Sequence, residues 1–136
     1  MIGHLVIGSL VIALTVAIQA EMLNLLSEYF EQVVRSARSI LRRFANTGVM
    51  IVAVLYVMMV HAINVWIWAL LFRLIGAFDQ MEPSLYFSLT SYTTLGFGDL
   101  TLGPDWRVLS GLTAASGLLN FGWSTAYMVE LVRRTA

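Results

Sequence analysis

Residues 91–100 read SYTTLGFGDL, a polar run with two glycines, Gly96 and Gly98, and one aspartate, Asp99. It stands in a chain that is otherwise strongly apolar. Of 136 residues, 59% are hydrophobic and only 12% charged, and the mean hydropathy is +0.80. A soluble domain of this size cannot hide so much apolar surface, so lipid is the solvent for much of the chain. A glycine-punctuated polar segment inside such a chain needs a reason.

The flanks of that run supply the frame. Three stretches carry no formal charge and have the ~20 residues that a bilayer crossing requires: residues 1–20, 49–72 and 108–129. The first has no basic leader and no small-residue cleavage site, and reads as a retained helix. A fourth uncharged stretch, residues 83–98, is too short and too polar to cross. Irregular backbone at membrane depth is tolerated only where it is buried in protein or lines water. Residues 83–98 are therefore expected to form a re-entrant segment, a short helix over 84–93 followed by an extended stretch. Pro83 suits the first turn of that helix, where its missing N–H costs nothing.

Between the first two crossings, Phe30, Val33, Val34, Ala37, Ile40, Leu41 and Phe44 recur at helical spacing among Arg35, Arg38, Arg42 and Arg43. This is a basic amphipathic helix that lies in the interface or prolongs the first crossing into the cytoplasm. Glu28 and Glu31 and the lack of a long apolar matrix argue against a voltage sensor. Arginines are concentrated there and at Arg133 and Arg134, which places both regions in the cytoplasm. The loop between Arg73 and Arg107 carries four acidic residues and falls outside, so the N-terminus is expected outside and the C-terminus inside. The expected fold is an all-α membrane protein: three transmembrane helices, with a short re-entrant helix and an extended loop before the last of them.

Several chemistries are excluded. There is no cysteine, and His4 and His61 lie far apart, so no thiolate or histidine metal cluster is expected. The net charge is zero and every basic residue is arginine, without the clustering of a nucleic-acid surface. No nucleophile–base pair suggests an enzyme.

The extended stretch carries a different chemistry. Gly96 and Gly98 can take dihedrals closed to other residues. Alternated with ordinary residues, they let successive carbonyls face one side and form a ladder of oxygen ligands for a dehydrated cation. One ladder cannot surround an ion, whereas four around a symmetry axis can. The C-terminal end of the preceding helix, partially negative, favours a cation as well.

In this context, Thr94-Leu95-Gly96-Phe97-Gly98-Asp99 resembles the Thr-Val-Gly-Tyr-Gly-Asp signature of tetrameric potassium channels. The resemblance covers roughly residues 49–132 and divides the chain at residue 47. Residues 1–47 hold the extra helix and its basic extension. Residues 48–136 hold a pore domain with outer helix 49–72, pore helix 84–93, filter 94–98 and inner helix 108–132. It implies a homotetramer in the plasma (inner) membrane that passes K+ passively, with K+ as permeant ion and no other cofactor. The carbonyls of Thr94, Leu95, Gly96, Phe97 and Gly98 would bind K+, the Thr94 hydroxyl would complete the inner site, and Asp99 would stand at the outer mouth. Two departures weaken strict selectivity. Phe97 lacks the family tyrosine's hydroxyl, and Leu95 replaces a β-branched valine. A weakly selective cation channel, or a non-conducting adaptor with the same fold, are the alternatives.

The last crossing has a polar stripe, Thr113, Ser116, Asn120, Ser124 and Tyr127, at steps of three and four. Water is one partner for it, which makes Asn120 and Ser124 candidate cavity-lining residues. Alignment through Gly117, the family's flexible glycine and a hinge candidate, instead turns Phe121 and Thr125 to the axis. A third reading is simple helix packing. His61 and Asn64, in the middle of the second crossing, read as interhelical hydrogen-bonding groups. No residue pattern identifies a regulatory partner.

Overall fold

The computed structural model describes residues 1–135; Ala136, the last residue assigned to the pore domain, lies outside the described residues. Among them there is no strand. Four helices form: α1 (Ile2–Leu41), α2 (Ala45–Leu74), α3 (Met81–Tyr92) and α4 (Arg107–Thr135), with a 3-10 turn at Arg42–Phe44 between the first two.

Helix α1 is a single 40-residue element. No glycine or proline occurs between Gly8 and Gly48, so nothing interrupts it, and the basic amphipathic stretch prolongs the first crossing rather than forming a separate helix. The chain reverses at Arg42, which takes a positive φ of 42°. Helix α2 then runs back antiparallel to α1, and Leu26, Phe30 and Val34 of α1 pack with Val49 and Ala53 of α2. Together these two helices form an apolar stretch, Ile2–Leu74, long enough to cross a membrane. At ~1.5 Å per residue the 30-residue α2 alone spans about 45 Å.

Helix α3 starts three residues earlier than the sequence suggests, at Met81 rather than residue 84. Pro83 still falls in its first turn, where the amide has no intrahelical acceptor, and Glu82 sits at the end that favours a negative charge. Helix α4 runs parallel to α1. His4, near the start of α1, lies 4.5 Å from Trp106, ring to ring, just before α4, and Ser27 meets Tyr127 further along both helices.

The interior has two apolar layers. One gathers Val65, Trp68, Phe72, Phe87, Tyr92, Leu102 and Leu109. The other gathers Leu26, Phe30, Val34, Val49, Ala53 and Leu131. Outside, large apolar side chains such as Leu10, Leu14, Leu55, Met58, Leu118 and Val129 are exposed on α1, α2 and α4. A soluble monomer does not expose a continuous apolar belt of this kind.

Candidate functional site

The segment after α3 hangs from that helix's C-terminal end. The Thr94 amide donates to the Ser91 carbonyl (2.9 Å) and the Gly96 amide to the Thr90 carbonyl (3.0 Å). Carbonyls that would otherwise be orphaned at the helix end are thus used to fix the turn. Positive φ then recurs at every second residue: Thr94 (63°), Gly96 (54°) and Gly98 (79°). Leu95 and Phe97 between them keep the ordinary sign. An ordinary strand points its carbonyls alternately to opposite sides. Reversing φ at alternate residues is the backbone form in which successive carbonyls can face the same way. A Cβ added at Gly96 or Gly98 would meet nothing within 4 Å, so dihedral angle, not space, demands glycine there.

Thr94 was not anticipated as a member of this set. A β-branched residue at φ 63° is an outlier, with a strain of ~1–3 kcal/mol. The bond from its amide to Ser91 holds it in place. All residues from Thr94 to Asp99 are exposed on the single chain, with Leu95 60% and Phe97 65% accessible.

A tie at the far end was also missed by sequence reasoning. The Tyr86 hydroxyl, one turn into α3, donates to Asp99 Oδ2 at 2.7 Å. That bond holds the Asp99 carboxyl below its ordinary range. It joins the Asp99 end of the segment to α3 at a point where Phe97 offers no hydroxyl.

Beneath the segment lies a closed ring of buried polar side chains drawn from all four helices. Asn64 Nδ2 (α2) donates to the Tyr92 hydroxyl (α3) at 3.3 Å and to Gln19 Oε1 (α1) at 3.2 Å. Gln19 Nε2 donates to Ser124 Oγ (α4) at 2.6 Å. His61 (α2) closes the ring, with Nε2 3.0 Å from Ser124 Oγ and Nδ1 3.1 Å from the Tyr92 hydroxyl. Asn120 Nδ2 adds a further bond to Tyr92 at 3.2 Å. Donor counting fixes the protons. Two amide donors occupy both lone pairs of the Tyr92 hydroxyl, so its own hydrogen goes to His61 Nδ1, and His61 Nε2–H donates to Ser124.

Of the readings open for the polar stripe of α4, this ring matches helix packing. Asn120 and Ser124 are buried inside the chain, not on an open face. Two more members of the stripe follow them, Ser116 meeting Thr15 and Tyr127 meeting Ser27 on α1, while the Thr113 hydroxyl donates to the Leu109 carbonyl of α4 itself. The reason is that α1 carries polar side chains of its own, Thr15, Gln19 and Ser27, on the side that meets α4. Those side chains were present in the sequence and were the signal that could have identified the partner. Of the alternative pair, Thr125 is exposed, while Phe121 stacks on His61 with ring centres 4.0 Å apart.

Gly117 also has a packing role. Helix α4 runs unbroken through it, and a Cβ there would overlap the Tyr92 carbonyl oxygen and lie 2.7 Å from its carbon. Only glycine lets α4 approach the end of α3 so closely. Among the described residues no group of three or more His, Asp or Glu could hold a metal.

Compared with known proteins, residues 49–134 match a family model described as ion channel. The match takes in α2, α3, the exposed segment and nearly all of α4, and leaves α1 outside. No curated protein and no solved structure matches the chain.

Proposed function

The chain belongs to this ion channel family, and as a membrane protein of that family we propose that it forms a homotetrameric potassium-selective channel. The observation that carries the reading is the alternation of positive φ at Thr94, Gly96 and Gly98 on an exposed segment suspended from the C-terminal end of α3. Four such segments around an axis supply stacked rings of carbonyl oxygens from Thr94 to Gly98. These replace the hydration shell of K+, and ions pass from ring to ring down their gradient. The partially negative ends of four α3 helices point toward the same column and favour a cation there. Asp99, kept ionised by Tyr86, concentrates cations at the outer mouth.

Exposure of Leu95 and Phe97 supports assembly. Two large apolar side chains left open beside the filter are covered when a neighbouring subunit packs against them. In the membrane, α1, α2 and α4 each cross once, with the N-terminus outside and the arginine-rich reversal at Arg42 and Arg43 in the cytoplasm. Residues 1–47 form an added unit beside the pore unit that begins at residue 48.

A weakly selective cation channel is the second reading, favoured by one observation. The filter is tied to its own chain by backbone bonds and the Tyr86–Asp99 contact, while Leu95 and Phe97 have no polar side-chain atom to add. Flux into liposomes under potassium and then sodium gradients separates the two. Potassium flux alone is expected, and equal sodium flux would favour the second reading. Gly96→Ala tests the filter itself. It introduces no clash but forces an L side chain to φ 54°, so potassium flux is expected to vanish while the fold persists. Retained flux would overturn the filter assignment.

A further inference from the structure

The family match ends short of α1, yet α1 reaches the filter through one side chain. We propose that Gln19 is a positioning residue for the filter, and that α1 thereby sets ion selectivity. The inference rests on the channel reading above.

The path is continuous. The Gln19 amide bridges α2 and α4, accepting from Asn64 Nδ2 at 3.2 Å and donating to Ser124 Oγ at 2.6 Å. Asn64 bonds Tyr92 directly, and Ser124 reaches it through His61. Tyr92 is the last residue of α3 and is fully buried. The two carbonyls just before it, of Thr90 and Ser91, hold the amides of Gly96 and Thr94. A shift of Tyr92 is therefore a shift of the filter's anchor points. Gln19 itself is fully buried, so its two bonds have no water to replace them. Other α1–α4 contacts, Thr15 with Ser116 and Ser27 with Tyr127, join the helices without touching this ring.

That separation defines the test. The full chain and its Gln19→Leu, Gln19→Asn and Ser27→Ala variants are reconstituted in liposomes, and the sodium-to-potassium permeability ratio is taken from reversal potentials. Leucine deletes the amide at similar volume, and asparagine keeps it but shortens its reach. Both are expected to raise the ratio about fivefold, the factor that corresponds to about 1 kcal/mol, the net worth of one neutral hydrogen bond. Ser27→Ala is expected to leave the ratio unchanged, because it loosens the same helix pair away from the ring. Combining Gln19→Leu with Tyr92→Phe should add nothing to Tyr92→Phe alone.

A second readout needs no flux. Exchange of the Thr94 and Gly96 amides in the purified protein should speed up about fivefold in Gln19→Leu and not in Ser27→Ala. An unchanged ratio and unchanged exchange in the Gln19 variants would overturn the proposal. So would an equal response of Ser27→Ala, or failure of both Gln19 variants to assemble, since each marks a purely structural role. If the unmodified protein carries no potassium, the channel reading fails, and the exchange comparison still decides the coupling of Gln19 to the 94–98 segment.

Discussion

Gly117→Ala separates two roles for the same residue by the sign of its effect. A hinge glycine in mid-helix lowers helix stability, so alanine should stabilise α4 by up to ~1 kcal/mol through propensity. A contact glycine does the opposite. The added Cβ would overlap the Tyr92 carbonyl oxygen and sit 2.7 Å from its carbon, where real Cβ atoms essentially never come within 3.0 Å. The obstructing atoms are backbone, so no side chain can rotate away. Helix α4 must withdraw from the end of α3, loosening the ring at Tyr92 and Asn120. Overpacking typically costs ~1–3 kcal/mol, and a backbone obstruction belongs at the upper end. Subtracting the propensity gain leaves a net destabilisation of about 2 kcal/mol. Gly111 and Gly122 lie on the same helix, and a Cβ at either would meet nothing within 4 Å, so alanine there should be neutral or stabilising in the single chain. Thermal unfolding of the three variants in one detergent measures the contrast. Gly117→Ala as stable as Gly111→Ala would refute the contact argument and restore the hinge.

Two further outcomes follow from the same geometry. Tyr92→Phe removes the hydroxyl that accepts from Asn64 and Asn120 and donates to His61; leaving these buried groups unpaired should cost about 3 kcal/mol, measured by unfolding, and a loss under ~0.5 kcal/mol would mean the ring is not closed. For Asp99, the bond from Tyr86 holds the folded pKa down, so its contribution is complete above the ordinary carboxylate value of about 3.9 and is lost only as pH falls through the lower folded value. Tyr86→Phe should move the Asp99 midpoint upward in an NMR titration, and an unmoved midpoint would show that the bond is not made.

What was readable in the sequence was what depends on local backbone chemistry. Uncharged length located the long helices α1, α2 and α4, Pro83 marked the first turn of α3, and the glycine pair located two of the three positions with positive φ in the 94–98 segment. Thr94 was not readable, because threonine has no intrinsic preference for φ 63°; the turn that ties its amide to the Ser91 carbonyl holds it there. The Tyr86–Asp99 bond was hidden for a related reason, since thirteen residues and a reversal of direction separate the partners. The facing of α4 was left open for a different reason. A polar stripe in a membrane helix states that a polar partner exists, not whether that partner is water or another helix.

The partner is settled by the polar side chains of α1, and their pairing also fixes how α4 is turned. Apolar side chains in lipid gain little from one apolar neighbour over another, so helices in an apolar chain have weak reasons to stop at any rotation. Hydroxyls and amides do not share that freedom, because each one left unpaired in a dry interior costs ~1–3 kcal/mol. Thr15, Gln19 and Ser27 meet Ser116, Ser124 and Tyr127. Turning α4 by one residue, about 100°, would withdraw all three partners and carry Asn120 away from Tyr92. The same turn would also remove Gly117 from the Tyr92 carbonyl and present a side chain in its place. Polar pairing and the close backbone approach at Gly117 thus select the same rotation of α4, and that rotation is the one that seats α4 against the end of α3, from which the 94–98 segment hangs.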